Sequence, residues 1–111
     1  MFCRYIHIAI IIFAMLASFS VNAETLSYNI IIANHEFNPK EIKVPSGKKI
    51  KLIIDNQDST PEEFESHDLK REKIINGNTA ATIFIGPLDP GRYHFFGEFN
   101  MDTANGYIIA E

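Results

Sequence analysis

The chain has 111 residues, 46% of them hydrophobic, with ten Lys and Arg against fourteen Asp and Glu for a formal net charge of -4. An acidic balance repels phosphate backbones, and no basic stripe interleaved with aromatics occurs, so nucleic acid is excluded as a partner. The single cysteine, Cys3, leaves no disulfide framework, and a chain of this length supports one modest core.

The first segment reads as three zones. MFCRYIH carries Arg4, IAIIIFAMLASF is an unbroken apolar run, and Val21 and Ala23 supply the small residues of a cleavage site. This is the pattern of a secretory signal peptide over residues 1–23. The apolar run falls short of the roughly 20 residues that span a bilayer comfortably. An uncleaved tether is the alternative. Cleavage after Ala23 would leave one domain, 24–111, in the periplasm and with no direct membrane insertion. Loss of Arg4 from the ten basic residues leaves nine against the same fourteen acids, a charge of -5. With Cys3 removed, this domain has no thiolate to offer a metal or a substrate.

Beyond the signal, LSYNIIIAN reads as a strand by its β-branched content. Phe37, Ile42 and Val44 mark apolar positions ahead of a Pro45-Ser46-Gly47 turn. KKIKLIIDN is a strand with Ile50, Leu52 and Ile54 on one face by the period of two. QDSTP breaks it, and EFES is extended again with Phe64 inward and the acids outward. HDLKREK, 67–73, is expected to hold a single helical turn with Asp68 near its start. KIINGN and TAATIFIG place strands either side of an Asn-Gly turn signal. PLDPG turns tightly into the aromatic strand RYHFF, and GYIIAE closes the chain. Seven or eight short strands at this spacing predict an all-β, Greek-key β-sandwich. Ile50, Leu52, Ile54, Phe64, Ile83, Ile85, Tyr93, Phe95 and Ile108 are its expected core.

FNPKEIKVPSGKKIKLIIDNQD, LDPGRYHFF and GYIIA together resemble a cupredoxin: the Phe-x-Pro, the glycine turn, a strand ending in Asn, the approach to the metal loop and the last strand. TPEEFES and FFGEFNMDTANG are similar to the small periplasmic cupredoxin-like proteins associated with bacterial high-affinity iron uptake. The resemblance implies a cupredoxin-like fold, a copper or iron ion as cofactor, and a membrane iron permease or a periplasmic metal-binding protein as partner. It also sets where blue-copper ligands would fall. The upstream histidine becomes Glu62 or Glu63, the cysteine Gly97, the loop histidine lies near Asn100, and the axial methionine near Thr103, with Met101 close by. Every ligand position departs, and without a thiolate no type 1 blue copper centre forms.

Alternation puts Glu63, Glu65 and His67 on one face, either as a solvated strand edge or as oxygen ligands. Glu98, between Gly97 and Phe99, is expected in an apolar surround. His35 lies at the end of the first strand on the loop side, while His94 decorates the sandwich surface. Met101 is the one methionine beyond the signal and offers a thioether. The expected metal site is therefore His35, Glu63, Glu98 and Met101, with Glu62 and Glu65 in reserve, where the loop after residue 56 meets the loop after residue 96. Two oxygens and one nitrogen suit iron or copper(II), and Met101 suits copper(I). The competing reading is a metal-free sandwich that docks on a permease or a partner metal-binding protein through its acidic and aromatic loop end. Hydrolytic motifs such as Gly-x-Ser-x-Gly are absent from the sequence.

Overall fold

The computed structural model describes residues 25–111, so the expected signal peptide and Cys3 lie outside the described residues. Nine strands follow in chain order: β1 Leu26–Ala33, β2 Glu36–Asn38, β3 Glu41–Val44, β4 Ile50–Asn56, β5 Glu62–Ser66, β6 Arg71–Ile75, β7 Thr79–Ile85, β8 Gly91–Gly97 and β9 Asn105–Ala110. A 3-10 turn, Glu98–Asn100, joins the last two. Four strands form one sheet in the order β2-β1-β4-β7, and five form the other in the order β3-β9-β8-β5-β6. Most pairs are antiparallel, but β1 runs parallel to β4 and β3 parallel to β9. The chain crosses repeatedly from one sheet to the other, and the result is the expected all-β sandwich.

Strand alternation builds the core. Ile50, Leu52 and Ile54 of β4 are completely buried, as are Ile30 and Ile32 of the neighbouring β1. Facing them, Phe64, Phe95 and Ile108 come from the second sheet. Phe64 stacks on Phe95 at 5.2 Å between ring centroids, and Phe37 of the first sheet meets Phe95 edge-on at 5.0 Å. Such ring pairs add about 0.5–1.5 kcal/mol each beyond area burial. The expected core is confirmed except at Tyr93, which is half-buried. Its hydroxyl donates to the Asp89 carbonyl at 2.8 Å and is drawn outward by that bond.

Three expectations are corrected. Residues 67–73 do not form a helical turn: 67–70 are a hairpin turn and β6 begins at Arg71. The Ser66 hydroxyl accepts from the Leu69 backbone N–H at 3.0 Å, Leu69 is buried, and Asp68 accepts the His94 N–H at 2.9 Å. The Ser66 hydroxyl also donates to the His94 carbonyl at 2.6 Å, so both Ser66 and Asp68 are tied to β8 and the chain turns back into β6 instead of continuing as a helix. The Asn-Gly signal marks a turn correctly, yet its flanking strands β6 and β7 lie in different sheets. With the stretch from Glu36 to Val44 divided into β2 and β3, the strand count is nine instead of seven or eight.

Candidate functional site

The loop end of the sandwich is organised from β4 outward. Asn56 is fully buried, and its amide donates to the carbonyls of Thr60 and Ile75 at 2.9 and 3.2 Å. Its oxygen accepts the Asp58 N–H at 3.1 Å. The loop 57–61 is therefore held at both ends, and it delivers Glu62 to the start of β5. Asp58 in turn accepts the backbone N–H groups of Asn34 and His35 at 2.8 and 3.0 Å. Those two residues have φ of 52° and 60°, the left-handed pair of a tight hairpin between β1 and β2.

Glu62 points inward and is 2% exposed. One carboxylate oxygen accepts from the backbone N–H of Glu63 at 3.0 Å and of Phe99 at 2.9 Å. The other accepts from the Asn100 side-chain amide at 2.6 Å. Gly97 makes room for it: a Cβ there would stand 2.6 Å from the Glu62 carboxyl carbon and 2.7 Å from Ala104 Cβ. The three positions that the resemblance assigns to histidine, cysteine and histidine thus hold a carboxylate, no side chain and an amide donor. These residues do not fit a type 1 copper ion. The N–H groups facing Glu62 are donors only, and no buried side-chain nitrogen or oxygen among the described residues lacks a partner.

Glu63 and Glu65 take the opposite face of β5. Across the hairpin Glu65 pairs in register with Glu72, and Glu63 with the exposed Ile74. Glu63, Glu65 and Glu72 bring ligand atoms within 4.8 Å of one another, close enough to chelate a cation. The Glu63 carboxyl is raised above the ordinary glutamate range, first by its half-buried setting and then by the charges of Glu72, Glu98 and Glu62. Glu65 is raised first by desolvation, then by a hydrogen bond with the Glu98 carboxyl and by the charges of Glu98, Glu72 and Glu63. Like charges opposed across a hairpin disfavour the fold, and a bound cation would relieve them. The cluster is all oxygen, which suits a hard divalent ion and offers nothing to copper(I).

The expected ligands separate into two neighbouring places. His35, Glu98 and Met101 line one open groove of about 480 Å³, together with Phe99 and Asp102. Glu63 lies with Glu65 and Glu72 on the outer face, with Glu98 linking the two through its effect on Glu63 and Glu65. His35 stands with its ring 3.6 Å from Asp58, and its carbonyl accepts the Thr103 hydroxyl at 2.6 Å. Glu98 is exposed and stands beside Glu63 and Glu65, not enclosed by the expected apolar residues. Phe95 is in the core and Phe96 is covered by His67 and His94, while Phe99 and Met101 are 48% and 56% exposed. His94 sits on the outer face against Phe96 and Tyr107, with its ring 3.0 Å from the Asn105 amide oxygen.

Sequence reasoning missed Glu72, Asn56 and Asp58. The signal for Glu72 was available: once 67–70 is read as a turn, counting back across the hairpin sets it opposite Glu65. Asn56 and Asp58 work through long-range backbone partners that no local pattern announces.

A model of the cupredoxin-like domain matches residues 6–110. An uncharacterised protein of Rickettsia prowazekii (strain Madrid E) is 50% identical over 88 residues, covering 79% of this chain and 70% of its own. Among solved structures, auracyanin A, a blue copper protein of Chloroflexus aurantiacus, superposes with a TM-score of 0.69 at 10% identity. That match covers 79% of this chain and all of the auracyanin. A copper binding protein in its apo form, solved in solution, gives 0.71 at 15% identity over 83% of this chain and 93% of its own. At such identities the structural likeness speaks for the fold alone, whereas the family model spans nearly the whole chain. With that match and the all-β sandwich in agreement, this chain belongs to the cupredoxin-like domain family.

Proposed function

We propose that this protein is a periplasmic metal-binding component of iron uptake that takes a divalent cation, iron(II) or copper(II), on its outer acidic face. The observation that carries the reading is the convergence of Glu63, Glu65 and Glu72 within 4.8 Å, with Glu98 beside them. Iron uptake is supported by the likeness of TPEEFES and FFGEFNMDTANG to that group of cupredoxin-like proteins, and the periplasm by the three-zone start. Oxidation of bound ferrous iron would need an electron acceptor from outside the site, so binding is the activity assigned. Anaerobic calorimetry with iron(II), and separately with copper(II), tests it. Heat release that is lost in the Glu63→Gln/Glu72→Gln variant is expected. Its survival there, or no heat at millimolar metal, would remove the site.

A second reading has its own observation. Phe99 and Met101 stand exposed between Glu98 and Asp102 on one groove, the composition of a surface that docks on a cationic, partly apolar patch. A membrane iron permease or a periplasmic metal-binding protein is the partner in this reading. A photo-crosslinker at position 99, activated in cells, should then yield one defined adduct that is lost when Met101 is changed to serine.

A further inference from the structure

We infer that Glu62 closes the interior of the loop end as a metal-free staple, standing where this fold family seats copper. The blue copper and copper-binding relatives share the architecture, but here the space is already filled. Glu62 is 2% exposed, and its two oxygens accept three N–H groups: Glu63, Phe99 and the Asn100 side chain. Two of these donors belong to the loop after β8, so one side chain ties the start of β5 to that loop. A metal bridging two loops would make the same link.

The filling is reciprocal. β8 gives up its side chain at Gly97, and β5 supplies a carboxylate to the vacated volume. A Cβ at 97 would approach both the Glu62 carboxyl carbon and one of its oxygens within 2.7 Å. That is closer than real Cβ atoms stand, so even alanine is not accommodated unless Glu62 moves and Ala104, 2.7 Å away on the other side, gives way as well. If Glu62 did move, the Phe99 and Glu63 N–H groups and the Asn100 amide would lose their acceptor. The N–H groups that face Glu62 are hydrogen-bond donors and offer no lone pair to a cation. The loop is otherwise self-supporting: the Asn100 carbonyl accepts the Ala104 N–H at 2.8 Å, and Gly97 donates to the Ala104 carbonyl at 2.9 Å. Glu62 supplies its attachment to β5. Any metal this chain holds is therefore held outside the sandwich.

The inference does not depend on the outer acids binding metal, and a double-mutant cycle on the full chain separates the two. Glu62→Ala removes the shared acceptor of three part-buried donors, so its folding equilibrium constant should fall by at least about tenfold. Gly97→Ala should fall by a similar factor through overpacking. In the double variant the combined loss should be smaller than the product of the two single losses, because the carboxylate is no longer there to clash and only the Ala104 contact remains. Independent, multiplicative losses would overturn the interlock. Should Glu62→Ala fail to fold, Asn100→Ala removes one donor and keeps the chain intact. It should speed hydrogen exchange at the Phe99 amide, which is expected to be protected in metal-free wild type. An unprotected Phe99 amide that becomes protected only on adding copper(II) or iron(II) would show that metal, not Glu62, closes the end. Glu62→Gln gives the last arm: stability falls while metal affinity stays within about twofold. A tenfold loss of affinity would make Glu62 a ligand and defeat the inference.

Discussion

Glu62 and Glu63 are adjacent in the chain and chemically identical, yet they meet opposite surroundings. Glu62 is buried and shared among three N–H donors. Glu63 looks outward from the same strand into the charges of Glu72 and Glu98. The difference is the period of two: in an extended chain successive side chains leave on opposite faces. One carboxylate thus becomes part of the architecture, and the next becomes part of a charged surface. The inner face of β5 is a place where groups are satisfied, and the outer face one where they are left in tension.

The largest effect should come from the inner face. Phe64 is completely buried between Phe37 and Phe95. Phe64→Ala is expected to cost about 3–5 kcal/mol in urea unfolding, by lost transfer free energy and the cavity left behind. A loss below 1 kcal/mol would mean that the ring triad is not what joins the sheets.

Next comes the loop end, through Asp58. Its carboxylate holds the Asn34 and His35 amides of the β1–β2 hairpin. Asp58→Ala should cost about 1–2 kcal/mol, the range for hydrogen bonds to a partly exposed charged group. Thermal melts read this, and Asp58→Asn, which keeps one acceptor, should recover part of it.

The outer face should respond to pH in the opposite sense from a salt-bridged carboxylate. Glu63 and Glu65 have raised pKa values, so the folded chain holds their protons more tightly than the unfolded chain does. Their favourable contribution is full below the ordinary glutamate range and is lost as pH rises through the raised values. In a Glu63→Gln/Glu65→Gln variant that fall in melting temperature, across the window just above the ordinary range, should flatten. A steeper fall in the variant would reverse the assignment.

The smallest effect distinguishes the two faces by salt. Raising ionic strength screens exposed like charges, so wild type should gain a little melting temperature that the same variant does not. Loss of stability with salt in wild type would indicate that these acids are paired rather than opposed.

Much of this was legible in the residues. Ile50, Leu52 and Ile54 alternate, and alternation suffices to put them in the core, because a one-residue slip would expose all three. The same rule placed Phe64 inward and Glu63 and Glu65 together. The absence of cysteine beyond Cys3 excluded a thiolate-based copper centre without any structure. Residues 67–73 were misread because Ser66 and Asp68 have local uses at a helix start as well as distant ones at the His94 carbonyl and N–H, and sequence shows only the local option. Tertiary structure alone decided what Gly97 is for. A glycine where a ligand is expected reads equally as space for a metal, for a partner or for close packing, and only the approach of Glu62 from a strand 35 positions earlier chooses among them. Local pattern determines which way a side chain leaves the backbone; what it meets depends on strands brought together by the sheet order, and that is a property of the folded whole.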